Sequence, residues 1–490
     1  MKRLDTKNKY CWEGSRGQEV KRSSKDKHLN PRTLAPLNPV LELRGKKVLV
    51  VGLAKTGIST AKFLHKRGAV VTATDIMPAS KIKGIDDLQN ANITVETGGH
   101  SIRHFSNAEL IVLSPGVSPD IAPLKEARRK GIEIISEIEL AYNFIKEPIV
   151  AIAGTNGKTT TTTLIGKILE QAGRKVFVGG NIGLPLIEYV MAAKTADYLV
   201  VEVSSFQLEG IRNFRPHAAI LLNITEDHLD RYADFDEYVS AKFRLFEKMD
   251  KEDFAIVNFD DPVIKSQISN LKSQISILPF SSGQILKEGI YYKNGNIVYS
   301  VDQEEESYTT KNFKLKGIHN IENIMAAIAT AKICGIPKDI ILETILEFKG
   351  LPHRMELIRE INGVSYYNDS KGTNIGALQK SLEGFNAPVI LIAGGKDKGG
   401  DYRVLNNLIK NKVKLLILLG EARDKIREAF TGLTNIAMVE SLKEAVDTAY
   451  SKAVQGDVVL LSPACSSFDM FKDYKERGEI FRRLVERLKD

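Results

Sequence analysis

Seven consecutive residues, Gly154-Thr155-Asn156-Gly157-Lys158-Thr159-Thr160, combine small, polar and cationic groups in an order suited to holding an anion. They follow a continuous apolar run at 148–153 and precede a stretch of helical periodicity. Successive backbone N–H groups and a helix N-terminus therefore converge on one point. Lys158 adds a point charge for β- and γ-phosphates, and the Thr159 hydroxyl is placed to ligate Mg²⁺. The common phosphate loop has a glycine five residues before the position of Gly157. Ile152 stands there instead, so this is a compact variant. The chemistry indicated is nucleotide binding, with ATP the expected ligand. A glycine-rich turn without chemical role is the competing reading, and GKT between strand and helix disfavours it.

Two further groups belong to the same chemistry. Glu202 lies near the C-terminal end of the apolar run VVEVSSFQLE, and a carboxylate in such a run needs a partner. Mg²⁺ beside Thr159 supplies one. The segment NITEDHLDRY, 223–232, crowds ionisable groups at the same sheet edge. His228 is a candidate ligand for a second metal, whereas Asp227 and Asp230 read equally well as capping or loop carboxylates. Kinases, GTPases, transporters and ligases all use a phosphate loop, so these residues alone do not fix the reaction.

The elements that position them repeat one pattern. An apolar run at 46–52, a helix over 58–66 and a strand ending at Asp75 open a doubly wound sheet, with strands at 110–114 and 132–135 completing a unit near Glu137. Gly52 to Gly57 form GxAxxG, which alone suggests a dinucleotide, but Ala54 replaces the second glycine and weakens that reading. A second unit begins before the phosphate loop, with strands at 198–204 and 218–224. A small antiparallel excursion is expected at 271–311, and a helix at 320–334 closes the unit. A third begins near Leu351, with four strands separated by helical stretches. The fold expected is α/β in three domains: Rossmann-like at 41–137, a central P-loop ATPase domain with a mostly parallel sheet at 138–350, and Rossmann-like at 351–490.

Composition narrows the function. Residues 1–47 hold 13 Lys and Arg against 5 Asp and Glu, and the remaining 56 basic and 56 acidic residues cancel. The net charge of +8 thus lies within 1–47, most of it in a basic extension, 1–40, expected to be disordered, and the neutral body argues against a nucleic-acid partner. That neutrality also disfavours a nucleotide-binding regulator of nucleic acids. No apolar run approaches the roughly 20 residues of a spanning helix, and the start is polar without the apolar segment of a secretory signal. Cys11, Cys334 and Cys465 are far apart, which fits neither a disulfide framework nor a zinc site. A cytoplasmic enzyme without membrane insertion, acting as a monomer, is the expectation.

With GTNGKT, VEVSSFQLE and NITEDHLDRY in one order, the chain resembles the Mur ligase superfamily of peptidoglycan precursor synthesis. The resemblance covers about 41–490. LPHRME (351–356), NDSKGTN (368–374) and SPACSSFDMFKDYKERG (462–478) look like its D-glutamate-adding branch. Other amino-acid-adding branches and folylpolyglutamate synthases share the phosphate loop but differ in these motifs. The resemblance implies that ATP phosphorylates the L-alanine carboxylate of UDP-MurNAc-L-Ala, and that the D-glutamate amine attacks the acyl phosphate. It implies two Mg²⁺ ions, with Mn²⁺ an alternative: one on Thr159 and Glu202, the other on His228 and a carbamate of Lys242. Pattern alone makes Lys242 an exposed helix lysine. Lys158, Glu202, His228 and Lys242 form the implied catalytic set.

By the same resemblance His319, Asn320, Asn323, Arg354 and Asp369 join the loop 154–160 in holding ATP. Lys55, Thr56, Asp75, Ile76, Ser114 and Gly116 hold the UDP part, with Asn181 and His228 on the muramoyl part. Lys371, Thr373, Lys398, Ser467 and Tyr474 bind D-glutamate. Phenylalanine is common at the position of Tyr474, which puts that contact in doubt. Ligands divided between domains imply hinged closure.

Overall fold

A computed structural model describes residues 41–227, 231–268 and 275–489; the extension 1–40, His228 and Asp230 lie outside the described residues. Short apolar runs build three sheets, one per unit. The first pairs β1 (Lys47–Val51), β2 (Val70–Asp75), β3 (Thr94–Thr97), β4 (Leu110–Leu113) and β5 (Glu133–Ser136), all parallel, in the order β3-β2-β1-β4-β5. The order reverses beside β1, which opens a crevice beyond the strand ends. Glycine is required there: a Cβ on Gly57 would lie 1.8 Å from the Gly52 carbonyl oxygen. The helix Lys55–Lys66 therefore starts directly against the end of β1.

The second sheet contains β6 (Ile149–Ala153), β7 (Val176–Gly180), β8 (Tyr198–Glu202), β9 (Ala218–Leu221), β10 (Phe254–Asn258), β11 (Ser276–Ser281), β12 (Gly289–Lys293), β13 (Asn296–Val301) and β14 (Glu304–Thr309). Their order is β14-β13-β12-β11-β10-β9-β6-β8-β7. The antiparallel excursion expected at 271–311 is present from β12 to β14, and its first strand is corrected. β11 pairs in parallel with β10, and β12 starts in parallel with β11, so both extend the main sheet; only the β12–β13 and β13–β14 pairs are antiparallel. Alternating side chains look alike in either direction, and the helix Pro262–Gln267 provides the crossover that decides it. The helix Ile318–Ile333 packs on Lys158–Gln171 and buries Met325 through Ala329.

The third sheet pairs β15 (Glu356–Ile361), β16 (Val364–Asn368), β17 (Val389–Ala393), β18 (Val413–Leu418), β19 (Asn435–Met438) and β20 (Val458–Leu461) in the order β15-β16-β20-β17-β18-β19. All are parallel except β15, which runs antiparallel to β16. β15 and β19 are edge strands whose residues are mostly half-exposed or exposed, and neither carries the long apolar run of a central strand. The three α/β units are those the sequence implied. Among the described residues no helix is long and apolar enough to cross a membrane.

Carboxylates anchor the helix Glu137–Tyr142, which follows β5 at the junction of the first and second units. Glu139, 2% exposed, accepts the backbone N–H groups of Arg212, Asn213 and Phe214, each at 2.9 Å. Glu137 accepts the Ile187 N–H at 2.6 Å, and burial pushes its carboxyl up to about 7. Replacing Glu139 leaves three donors without their acceptor. Glu139→Ala is expected to lose about 3 kcal/mol, read as a lower urea midpoint of the unfolding step that reports on the first two units.

Candidate active site

The phosphate loop leaves β6 beside the point where residues 222–225 leave β9. Asn223 holds the two together. Its Oδ1 accepts from Asn156 N at 2.8 Å, its Nδ2 donates to Asn156 O at 3.1 Å, and its own carbonyl accepts from Thr155 N at 2.9 Å. Gly157 has φ +86°, and a Cβ there would meet Asn323 Oδ1 at 2.2 Å. Only glycine lets the helix Ile318–Ile333 seat on the loop.

Two lysines converge behind it. Lys158 Nζ donates to the carbonyls of Gly154 at 2.8 Å and Thr155 at 2.9 Å, while Lys242 Nζ donates to Gly154 O at 3.0 Å. Lys242 is 2% exposed, which corrects the exposed lysine read from pattern. The helix Phe235–Phe243 turns that residue inward, with its ammonium 4.5 Å from the Tyr238 ring centroid. Burial, then the neighbouring Lys158, hold the Lys242 amine well below its ordinary pKa; burial also lowers that of Lys158.

In front of the loop, Thr159 Oγ1 donates to Glu202 Oε2 at 2.8 Å and accepts from Arg354 Nη2 at 2.6 Å. Asn181 Nδ2 donates to Glu202 Oε1 at 2.9 Å, so it is engaged with this carboxylate. Glu202 is 2% exposed. These hard oxygen donors suit Mg²⁺. Among the described residues no three His, Cys, Asp or Glu side chains converge, so phosphate and water oxygens would complete the shell of such an ion. The assignments to His228 lie outside the described residues.

Arg354 arrives from the C-terminal domain. His353 and Met355 on either side of it have φ +63° and +46°, a left-handed backbone that side chains disfavour. A cavity of about 340 Å³ gathers Asn156, Thr160, Asn320, Asn323, Arg354 and Asp369. His319 lines it too, and burial pushes its ring down to about 4, leaving it neutral. Asp369 accepts hydroxyls of Ser381 and Ser462 at 2.8 Å each, and burial raises its carboxyl to about 6.

Lys371 borders the same cavity, its ammonium 4.2 Å from the Tyr474 ring centroid. Burial first, then Arg354 and Lys158, depress its pKa to about 8. Lys398 lies instead in a second cavity of about 260 Å³, 3.6 Å from Asp227 Oδ1, whose Oδ2 accepts from Asn374 Nδ2 at 3.0 Å. Thr373 donates its N–H to the Lys371 carbonyl at 2.8 Å, and Ser467 is buried where residues 467–471 turn.

The first domain gathers its candidates at the crevice beside β1. Asp75 accepts from Leu53 N at 2.5 Å and Met77 N at 2.8 Å, and Ser114 Oγ donates to Gly52 O at 2.7 Å. Thr56 lies in the first turn of the helix from Lys55, Gly116 follows β4, and Ile76 is 67% exposed at the rim. Lys55 Nζ reaches across to the Gly183 carbonyl of the second domain at 2.7 Å. Sequence reasoning missed Asn223 and Tyr238, whose hydroxyl lies 3.1 Å from Thr155 Oγ1. Only their long-range partners give them away.

Residues 46–136 match the family model of the Mur ligase MurD-like N-terminal domain, 152–331 the Mur ligase middle domain, and 353–465 the Mur ligase glutamate ligase domain. The chain belongs to the Mur ligase family. Within that family, it is 51% identical over 451 residues to the UDP-N-acetylmuramoylalanine--D-glutamate ligase of Geotalea uraniireducens, covering 92% of this chain and 99% of the relative. It is also 51% identical to the ligase of that name from Geobacter sp. strain M21, covering 91% and 98%. Among solved structures it resembles a pseudomurein peptide ligase type C from Methanothermus fervidus, with TM-score 0.58 and 20% identity over 91% of this chain and all of that one. It also resembles the MurF ligase of Thermotoga maritima in complex with ADP, with TM-score 0.57 and 17% identity over 91% and 97%. At those identities the shared feature is the fold.

The depressed Lys371 gives a signed pH effect. At pH 8.5 much of it is neutral, and bound phosphates favour the ammonium form, so nucleotide binding takes up protons and weakens as pH rises through about 8. Titration calorimetry in two buffers of different ionisation heat should show this uptake at pH 8.5, far less at pH 6.5, and its loss in Lys371→Met.

Proposed function

We propose that this site joins D-glutamate to UDP-N-acetylmuramoyl-L-alanine with hydrolysis of ATP to ADP and phosphate. The observation that carries the reading is 51% identity over 99% of a D-glutamate ligase. Lys158, Arg354, Lys371 and Lys398 gather around Glu202 and Asp227 at the phosphate loop. Such a surplus suits a triphosphate, an alanine carboxylate and the two carboxylates of glutamate together.

In the proposed sequence the alanine carboxylate attacks the γ-phosphorus and ADP leaves. The glutamate nitrogen then attacks the acyl carbon, loses a proton, and phosphate departs. The N–H groups of Gly154 to Thr160 and the Lys158 ammonium hold the phosphates in line, and Arg354 spreads a bidentate charge over them. Mg²⁺, when held by Thr159 and Glu202, supplies positive charge against the phosphate oxygens, and Mn²⁺ offers the same coordination. Asn320, Asn323, His319 and Asp369 hold the adenosine. Lys371, Lys398, Thr373, Ser467 and Tyr474 are proposed for D-glutamate. The crevice of the first domain, with Lys55, Thr56, Asp75, Ile76, Ser114 and Gly116, is proposed for the uridine diphosphate, and Asn181 and His228 for the muramoyl part. The cytoplasm, where ATP is available, is the proposed location.

A carbamate on Lys242 is part of the reading. A buried amine kept neutral attacks CO₂ and releases a proton, converting a cation into an oxygen donor for a second ion, with His228 its partner. Lys242→Ala is expected to lose at least about a hundredfold in turnover, and formate or acetate should restore part of it; no rescue counts against the carbamate. Phosphate release with UDP-MurNAc-L-Ala should depend on D-Glu and stay near background with L-Glu, L-Ala or L-Lys. Equal rates with all four, or release without the UDP substrate, contradict the assignment.

A further inference from the structure

The nucleotide cavity runs past the phosphate loop to a far end, where residues leaving β9, β10 and β11 come together. Asn258, Asp260 and Asp261 line that end from the sheet, Glu322 from the helix Ile318–Ile333, and Gln379 and Lys380 from the C-terminal domain.

Most of these groups are engaged by the fold. Asn258 donates to Leu222 O at 3.0 Å and accepts from Asp260 N at 2.9 Å. Asp260 accepts from Ser281 Oγ at 2.6 Å, Ser282 N at 2.6 Å and Gly283 N at 3.0 Å. Asp261 caps the helix Pro262–Gln267 through Val263 N and Ile264 N, and takes Ile224 N on its other oxygen at 2.8 Å. Gln379 and Lys380 both bind Glu383, at 3.0 and 3.1 Å.

Glu322 differs. Its Oε1 accepts from Ser282 Oγ at 2.9 Å, and among the described residues no hydrogen bond reaches Oε2. Glu322 is only partly buried and lines the cavity, so Oε2 is open to water there and free to exchange that water for a donor on a bound ligand. Asn156, Gly157 and Thr160 of the phosphate loop line the same cavity, so a nucleotide with its phosphates on the loop has this end available for its base.

We propose that Glu322 selects the base, its Oε2 accepting an N–H of the exocyclic amino group of adenine. Hypoxanthine and guanine carry a carbonyl oxygen at that position, and two facing acceptors leave both unsatisfied. The inference rests on the reading of this cavity as the ATP site.

The test is steady-state phosphate release by the full chain with ATP, ITP and GTP, each under saturating UDP-MurNAc-L-Ala and D-Glu. The wild-type chain should prefer ATP to ITP by at least about tenfold in kcat/KM. Glu322→Gln, whose amide donates as readily as it accepts, should lose most of that preference, with the change falling on KM for the nucleotide. Glu322→Asp, with the same charge one methylene shorter, should fall between, and it decides the matter if the amide variant does not fold. A wild-type chain indifferent to the base, or an ATP-to-ITP ratio unchanged in the variants, overturns the proposal. Absence of phosphate release with every nucleotide would instead bring down the ATP reading beneath it.

Discussion

The site depends on one buried carboxylate. Glu202, at the C-terminal end of β8, is withdrawn from water and held by Thr159 and Asn181, while Lys158 and Arg354 provide its opposing charge. Remove that negative charge and several cations are left facing one another; add a triphosphate and the carboxylate becomes a repulsive neighbour that only a metal ion offsets. The parallel sheet, the tight loop and the cross-domain arginine all serve to hold this balance of charge in a fixed place.

Arg354 links the balance to domain position. It belongs to the C-terminal domain yet donates to Thr159 of the phosphate loop, on a strap whose neighbours His353 and Met355 are both left-handed. Lys398 and Asn374 reach from the same domain to Asp227. The cavity proposed for ATP therefore exists only with the C-terminal domain in place, whereas the helix at the junction of the first two domains is anchored by the carboxylates of Glu137 and Glu139 binding backbone donors.

Much of this was legible in the sequence, for physical reasons. Strands buried on both faces leave unbroken apolar runs, as at 149–153 and 389–393, and the loop GTNGKT carries its chemistry in consecutive residues. What stayed hidden depends on partners distant in the chain. β7 and β10 are short apolar runs of five residues, while β15 and β19 are half-exposed edge strands that only pairing reveals. The direction of β11 could not be read from alternation. Lys242 on pattern alone reads as exposed because its helix is only weakly one-sided, and its burial comes from the loop folding onto it. Asn223 and Glu322 look like ordinary loop and helix residues until the cavity around them is formed.

The central claim is that Glu202 repels bare nucleotide and is reconciled with it by a metal ion. Calorimetric binding of a non-hydrolysable ATP analogue to wild type and Glu202→Gln, with Mg²⁺ and with chelator, tests it directly. Neutralising the carboxylate should tighten binding in chelator and weaken it in Mg²⁺, so that the two curves change in opposite directions. A variant that weakens both, or changes neither, contradicts the account.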